Sequence, residues 1–595
     1  MVTSAPLVND IAARFLLSPQ DVIDSVRSLV VLRRTLAILA SAAFALALNP
    51  RSARAQTPLG ALDDATVLRA GMLRIDATFL VSRANERFGL NTPGLRAGSP
   101  EPLAIDFGVG DVGVAQFPGL TASEQGIRSA SGLSSFVLSL GRPAITSEIS
   151  SASVPIRLDV GVTSRLMIGV MVPYVRTRND VRADFNPSRT EGNAGINPAL
   201  VPGVARTTNT AFRNQVTSAA AALRAALDAC AVNPGSGNCP NLEANRATAE
   251  ALIVESRGFR DQVETIYGSD TADAPALFIP RANSAAQSAI DLRATTFNAL
   301  YRSLLGLSSG SADPIAARPF PAQTPLAAGQ AQTLFTDPDS RLGVVTRPPQ
   351  TTERSHLGDI EVGARLLLFD SFANGASRRL AFRTAVGAVF RFATGQEDDP
   401  DDLFDVPTGD GQNDVELSTA IDVGIARRVT TTVRGRYTLQ LPDQTMARIT
   451  DVPSDVFAPA YRRQSVERDL GDIVEIDIVP RFAPSEYFAL VGQYLFRRKG
   501  EDVYTGRFTI PGETTGIGDV ELDAATLAQE TRATEQRIGW GFTFSLNPAA
   551  RTGRVRRPIE VSYLHSRSVR GSGGNQPKWV MDALQVRIAT RFLGR

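Results

Sequence analysis

Hydrophobic and polar residues alternate with a period of two in many separate stretches of the chain. In one of the clearest, Val415, Leu417 and Ile421 alternate with Glu416 and Asp422. Since successive side chains of a β-strand point to opposite faces, this alternation predicts strands with one apolar and one polar face. We predict twelve such strands, at about 71–83, 153–163, 164–176, 357–369, 379–393, 414–426, 428–441, 472–482, 486–498, 535–547, 556–567 and 579–593.

The connections between these strands are alternately long and short. Short turns are expected at 163–165, around Asn374-Gly375, at Arg427, at 484–485 and at 547–548. Outer-membrane barrels have an even number of strands, short periplasmic turns and long extracellular loops. A β-sandwich, which the strand pattern alone leaves open, has no reason to keep that phase. The sequence therefore predicts an all-β transmembrane barrel of about twelve antiparallel strands, spanning 56–595. The long connections are 84–152, 177–356, 395–413, 442–471, 499–534 and the moderate 568–578.

The polar face of these strands carries many charges of both signs. Burying so many ions against a dry core would cost several kcal/mol each unless every one were paired, whereas a hydrated lumen removes that cost. Cross-strand pairing of opposite charges is expected to fill part of the lumen. The candidates for lumen selectivity are Glu361, Arg365, Arg383, Arg391, Glu416, Asp422, Arg434, Arg436, Glu475, Asp477, Arg587 and Arg591, and Arg481, Gln493, Arg497 and Arg537 share their face.

The third connection of the chain, 177–356, is the second of the long ones and contains segments of helical composition and spacing. An α-helical insertion is therefore predicted in this extracellular loop, either capping the barrel or dipping into it. Cys230 and Cys239 flank a turn sequence, and in an exported chain they are expected to form a disulfide, with two buried free thiols as the alternative. The flank at 308–350 is rich in Pro, Ala, Gln and Thr and is predicted to be poorly ordered. The helical segments are 207–231, 241–267 and 281–305.

The N-terminal 55 residues predict an extension followed by a secretory signal peptide. Arg33-Arg34 precede an apolar run at 36–48, and 53–55 supply small residues at a cleavage site before Gln56. The long stretch before Arg33 suggests that the start codon has been assigned too far upstream. The paired arginines leave twin-arginine export as an alternative. The last strand ends on Phe592, close to the C-terminal aromatic signal of barrel assembly. The formal net charge of +1 gives no electrostatic case for nucleic acid.

The segment Gly108-Val-Gly110-Asp-Val-Gly113 matches the dinucleotide-binding fingerprint by its letters. It lacks the preceding parallel strand and following helix that the fingerprint needs. We interpret it as a flexible stretch of the first long loop.

The loop 395–413 holds a dense group of carboxylates. Oxygen ligands of this kind suit calcium, but the spacing fits no EF-hand. A solvated acidic loop is the favoured interpretation, and no metal site is predicted. The acidic residues are Glu397, Asp398, Asp399, Asp401, Asp402, Asp405 and Asp410.

Two histidines, His356 and His565, are the available histidine bases for a rim hydrolase. A Ser–His pair would need a hydroxyl within hydrogen-bond reach. No motif supports that geometry, and no catalytic residue or cofactor is predicted. The serines close to them in sequence are Ser355, Ser562, Ser566 and Ser568.

Several segments resemble a known family. A strand ending in Pro173-Tyr174, a strand led by Gly358-Asp359, and Thr394-Gly395 before the strand at 414 are similar to the outer-membrane transporter-like family associated with meta-pathway phenol degradation. The similarity covers about 150–500. It implies a channel for hydrophobic or aromatic small molecules, although the helical insertion departs from the family's short loops.

The sequence thus favours a monomeric outer-membrane channel for passive passage of small molecules. Its expected partners are outer-membrane lipid and lipopolysaccharide, the barrel assembly machinery and a small-molecule solute. Two alternatives stay open. One is a structural or surface-interaction barrel with a plugged lumen that displays the helical insertion. The other is the rim hydrolase.

Overall fold

A computed structural model gives the structure of residues 63–591. Residues 90–97, 109, 189–190, 272–274, 338–341, 373–379, 426–427, 452–454, 516–517, 556 and 574–575 are not described. The predicted signal peptide, the turns at Asn374-Gly375 and Arg427, and the terminal Phe592 therefore lie outside the described residues.

Twelve antiparallel strands form one closed barrel. Each strand pairs with its neighbours in sequence order, and the first strand closes the barrel by pairing with the last, Ile75 opposite Ile588. The strands are β1 (Met72–Ala84), β2 (Pro143–Gly161), β3 (Leu166–Phe185), β4 (Ile360–Asp370), β5 (Leu380–Phe392), β6 (Asp414–Ile425), β7 (Val429–Gln440), β8 (Ile473–Phe482), β9 (Phe488–Lys499), β10 (Ala533–Ser545), β11 (Ile559–Ser572) and β12 (Val580–Arg591).

All twelve predicted strands are confirmed, but the hairpin β2–β3 is longer than predicted. Its two strands contain 19 and 20 residues and remain paired as far as Pro143 and Phe185. A further strand, Thr352–Leu357, pairs with the outer half of β3. The hairpin therefore extends past its neighbours on the loop side. There β2 is rich in serine and the outward residues of β3 are charged, so the strands lack the apolar outer face on which the period-2 prediction depends.

The barrel has an apolar outer face and a polar inner face. On β6, Leu417 is 55% exposed, whereas the inward Asp422 is 2% exposed. The same reversal recurs on β10, where Trp540 is 62% exposed and Arg537 is buried. A water-soluble sheet would show the opposite arrangement, so this surface matches that of a barrel surrounded by lipid. Among the described residues, no helix is long and apolar enough to cross a membrane.

Helices lie in the long connections on one side of the barrel. The predicted helical insertion is confirmed, and its second segment is divided into two helices at Asn245. Cys230 and Cys239 form the predicted disulfide. The helices are α1 (Thr121–Ser131), α2 (Val204–Val232), α3 (Cys239–Ala244), α4 (Arg246–Tyr267), α5 (Ala285–Leu304) and α6 (Ala328–Thr336), with short turns at Gly512–Thr515 and Asn547–Arg551.

These helices share one hydrophobic core outside the barrel, which we call the cap. Phe212 and Phe259 of the insertion belong to this core. So do Phe117 of the connection 84–152, Phe335 of α6 and Phe457 of the connection 442–471. Among the described residues, none that lines the lumenal cavity comes from 187–359, so the insertion contributes no wall to this cavity.

Two predictions about the order of loop segments are wrong. The flank at 308–350 was predicted to be poorly ordered, yet its described part contains α6 and buries Ile315 and Val344 completely. In the glycine-rich stretch of the first loop, Val112–Gly113 pairs with Ser139–Gly141, so this part is paired backbone and not the flexible segment predicted. Both segments gain their order from long-range packing that local composition does not reveal.

The remaining elements are short and lie in the connections. The strands are Glu86–Gly89, Ser99–Pro102, Val112–Gly113, Ser139–Gly141, Ala194–Ile196, Phe278–Pro280, Thr352–Leu357, Asp443–Arg448, Arg463–Asp469, Val503–Thr505, Arg507–Ile510, Val520–Asp523 and Gln576–Pro577, and the 3-10 turns are Ile105–Phe107, Pro118–Leu120, Pro198–Leu200, Ala460–Arg462 and Ala524–Ala528.

Candidate functional site

The polar faces of the strands converge inside the barrel, as predicted. Arg391 of β5 bridges two neighbouring strands, with Glu361 of β4 at 3.0 Å and Asp414 of β6 at 2.8 Å. Arg436 of β7 pairs with Glu475 of β8 at 2.5 Å. These pairs join residues directly opposite or diagonal in the antiparallel register, where side chains on one face come within reach.

Further candidates pair in the same way. Arg383 lies 3.3 Å from Asp422, and Asp477 accepts a hydrogen bond from Gln493 at 3.1 Å. Glu416 borders the lumenal cavity. Arg591 does not join these clusters, because it is exposed at the last described residue of β12.

The centre of the lumen is occupied by a residue that the sequence analysis did not select, Asp63. It belongs to the segment 63–70, which precedes β1. Its carboxylate lies 3.2 Å from Arg157, 3.5 Å from Arg365 and 3.1 Å from Arg434, and it also contacts Arg587. These arginines come from β2, β4, β7 and β12, on several sides of the barrel. One side chain touching all four must lie near the barrel axis.

Neighbouring residues also attach the segment 63–70 to the wall. Ala65 donates its backbone N–H to Asp422 at 3.1 Å. Arg365 donates to the backbone oxygen of Asp64 at 3.0 Å, and Arg481 lies 3.6 Å from the Asp64 carboxylate. The segment, which leads into β1, thereby reaches β6 and β7 on the opposite side of the twelve-stranded barrel. We call it the lumenal segment, and it narrows the lumen.

The inward charges predicted from the strands contain a clue to this segment. They include ten arginines and only five carboxylates, so acids from elsewhere were needed. The structure supplies Asp63 and Asp64 from the lumenal segment. It also supplies Asp76, 2.8 Å from Arg587, and Asp159, 2.8 Å from Arg157, from strands whose inward acids were not selected.

A cavity of about 130 Å³ lies beside Asp63 within the lumen. Its lining includes the charged side chains of Asp63, Arg157, Arg365 and Arg434. Apolar side chains stand between the charged ones on the same wall, and Met167 of β3 lies directly opposite Arg365 of β4. The apolar lining residues include Leu80, Met167, Met171, Val389, Leu495, Leu564 and Met581.

A larger cavity of about 530 Å³ lies among the long connections. It is lined by side chains of mixed character, including Asp106, Phe107, Phe404, Arg448 and Tyr504. Most of its lining residues belong to the connections, and Ser147, Ile149 and Asn179 come from the outer part of the hairpin β2–β3.

The Gly-Asp and Thr-Gly motifs that carry the family resemblance form a structural clasp. The carboxylate of Asp359, between Thr352–Leu357 and β4, accepts backbone N–H groups of Thr394 at 3.1 Å, Gly395 at 2.8 Å and Asp410 at 3.3 Å. A Cβ on Gly409 would lie 2.5 Å from Oδ1 of Asp359. Burial, together with the nearby Asp410, raises the pKa of Asp359 to about 7. The motif therefore closes the base of the loop 395–413.

That loop is not the solvated acidic loop that we predicted. Asp405 lies 2.7 Å from Arg354, and Asp401 lies 2.8 Å from Arg448. Asp402 is buried. The arginine partners come from distant segments, which composition alone does not show. Among the described residues no group of three Asp, Glu, His or Cys side chains is arranged to hold a metal ion.

The histidines do not meet the serines near them in sequence. His565 faces outward against Trp540, with ring centroids 5.7 Å apart, and its Nδ1 lies 2.9 Å from Asp582. Ser566 faces inward and lines the lumenal cavity. Since neighbouring residues of a strand face opposite sides, His565 and Ser566 cannot form the Ser–His pair of the rim hydrolase. The Nδ1 atom of His356 lies 3.0 Å from the carbonyl oxygen of Leu357.

No protein-family model matches the sequence, and no curated protein matches it. Among solved structures, an outer membrane channel from Pseudomonas putida F1 is 8% identical, with 90% of this chain and 100% of that chain covered and a TM-score of 0.39. The toluene transporter TbuX of Ralstonia pickettii is 9% identical over 88% and 90%, with a TM-score of 0.26. The translocator domain of the autotransporter NalP from Neisseria meningitidis is 7% identical over 88% and 89%, with a TM-score of 0.25. All three TM-scores lie below 0.5, so these three structures give no information about the function of this chain.

Proposed function

We propose that the protein is an outer-membrane channel through which small molecules pass passively. The observation that carries this proposal is the division of each strand into an apolar outer face and a charged inner face around a closed barrel. A barrel of this kind is stable in lipid and keeps a polar interior. The Asp63 node and the ion pairs beside it would then control which solutes pass.

The solutes proposed are small and include hydrophobic or aromatic molecules. The methionines and leucines that line the lumenal cavity support this class, because they offer apolar contact inside an otherwise charged lumen. The cavity volume of about 130 Å³ is similar to that of an apolar cavity, roughly 150 Å³, that holds one benzene. The resemblance to the family associated with phenol degradation agrees with aromatic solutes.

The lumenal segment supports a channel that opens by displacement of that segment. It is held by ion pairs and hydrogen bonds to the wall, and no barrel strand has to separate for it to move. Placing a positive charge at position 63 would oppose four arginines and expel this part of the segment.

Conductance in planar bilayers tests the proposal with the full exported chain. Asp63→Lys should raise the single-channel conductance several-fold above that of the wild type. Asp261→Lys is the matched control, because Asp261 is exposed on α4, far from the lumen. Absence of conductance and of solute flux into liposomes for both the wild type and Asp63→Lys would disprove the channel.

A second candidate is a structural or surface-interaction barrel whose plugged lumen supports the cap. The dense ion pairing of the lumen and the presence of Asp63 at its centre favour this candidate. It predicts that Asp63→Lys destabilises the barrel without creating conductance. Heat-modifiability on gels, measured beside conductance, separates the two candidates.

A further inference from the structure

The arginines around Asp63 are arranged as an anion site. Arg157, Arg365 and Arg434 all approach Oδ2 of Asp63, while Arg587 contacts Oδ1. The Asp63 side chain is 7% exposed. Guanidinium groups present fixed donors that match a carboxylate, so several of them directed at one point form a strong recognition site for that group.

The charges of this cluster require an anion at its centre. Arg157 also pairs with Asp159, and Arg587 also pairs with Asp76. Arg365 and Arg434 both direct an ion pair at the same Asp63 oxygen. Without the carboxylate, these like charges would face one another inside the barrel, which is unfavourable.

The space beside the cluster suits an organic group. Asp63, Arg365 and Arg434 line the lumenal cavity, and Met167, which also lines it, lies opposite Arg365 in the register of β3 and β4. A ligand placed there would direct a charged group toward the arginines and place an apolar group against the neighbouring Met167. Its volume of about 130 Å³ limits the apolar part to a single ring or a short chain.

We infer that this arginine cluster is the binding site for the carboxylate of a small organic acid, and that Asp63 occupies this site as an internal substitute. A solute acid would replace the Asp63 carboxylate when the lumenal segment moves away. Only the route of the acid into the site rests on the proposed channel function. Binding itself does not depend on transport.

The structure permits removal of the Asp63 carboxylate while the segment stays attached. Ala65 contacts Asp422 and Asp64 contacts Arg481 without using the Asp63 side chain, so these contacts are expected to hold the segment when Asp63 is replaced by alanine. Asp63→Ala therefore creates an empty carboxylate position beside the cavity. Benzoate is the probe, and benzamide, of nearly the same shape but uncharged, is the matched control.

Isothermal titration of the full exported protein in detergent tests the inference. Benzoate should bind Asp63→Ala at least tenfold more tightly than it binds the wild type, and at least tenfold more tightly than benzamide binds the same variant. Adding Arg365→Met and Arg434→Met should remove this preference. Equal binding of benzoate and benzamide, no binding of benzoate, or a preference that survives the arginine substitutions would each overturn the inference.

If Asp63→Ala does not fold in buffer alone, refolding in the presence of benzoate or benzamide tests the inference instead. In that case benzoate, but not benzamide, should restore the folded band in a heat-modifiability assay. A failure of benzoate to restore it would overturn the inference. Bilayer conductance on the same preparations separates this inference from the proposed function, since benzoate binding without conductance would reject only the channel.

Discussion

The carboxylate of Asp63 and the guanidinium of Arg434 lie 3.1 Å apart inside the barrel, although 371 positions separate them in the chain. Arg434 is on β7, across the barrel from the strand β1 that follows Asp63. This ion pair therefore connects the lumenal segment to the far wall. It makes the segment part of the lumen instead of a free N-terminal extension.

The coupling between these two residues is measurable in a double-mutant cycle. Asp63→Asn and Arg434→Met should each destabilise the barrel, and their effects should fall short of additivity by about 0.5–3 kcal/mol, as for residues in direct contact. Urea-induced unfolding in liposomes measures the four free energies. A parallel cycle of Asp261→Asn with Arg434→Met should be additive. Additivity in both cycles would contradict the ion pair.

The two faces of β6 should respond differently to a positive charge. Ile421→Arg places an arginine on the exposed apolar face and should cost about 2–4 kcal/mol if that face meets the centre of the bilayer. Ser418→Arg places it on the lumenal side, between Glu416 and the directly opposite Arg436, and should cost less than Ile421→Arg. The folded fraction in liposomes over a urea series measures both variants. Equal costs would contradict the assignment of faces.

The disulfide should stabilise the cap without affecting the barrel. Replacing Cys230 and Cys239 with serine removes a cross-link that closes a short loop, which is expected to cost the cap about 2–3 kcal/mol. Limited proteolysis should then cut 204–305 faster, while heat-modifiability and conductance of the barrel stay at wild-type values. Loss of the barrel together with the cap would show that the two do not unfold separately.

The clasp at Asp359 should not accept a side chain at Gly409. Its Cβ would lie 2.5 Å from Asp359 and 2.7 Å from the Cα of Gly395, so Gly409→Ala should destabilise the protein by about 1–3 kcal/mol. Gly310→Ala is the matched control, because its Cβ would meet nothing within 4 Å. Thermal unfolding compares the two. Similar unfolding temperatures would contradict the close packing of the clasp.

The stability of the clasp should depend on pH. The pKa of Asp359 is raised to about 7 in the folded protein, above its ordinary value near 3.9. The protonated Asp359 carboxyl therefore stabilises the folded protein fully below about pH 3.9. This stabilisation is lost as the pH rises to about 7. Asp359→Asn stays neutral, so its unfolding temperature should fall less between pH 5 and pH 8 than that of the wild type. An equal fall in both proteins would contradict the assignment.

The strands and their faces were predictable because the period-2 pattern is local. The alternation of Leu417 and Ile421 with Glu416 and Asp422 specified which side chains point inward before any tertiary contact was known. The helices of the insertion and the pairing of Cys230 with Cys239 followed from local composition in the same way. The polar outer part of β2–β3 was missed because it lacks the apolar outer face on which the prediction depends.

The sequence by itself determined a twelve-stranded barrel and the inward face of its clearly alternating strands, because strand periodicity and loop length are properties of neighbouring residues. Only the tertiary structure decided what the inner face surrounds. Asp63 stands in an irregular segment without periodicity, and its four arginine partners are brought together by the closure and register of strands that are far apart in the chain. The excess of arginines over carboxylates among the predicted inward residues indicates that further anions lie in the lumen. Their position depends on long-range geometry.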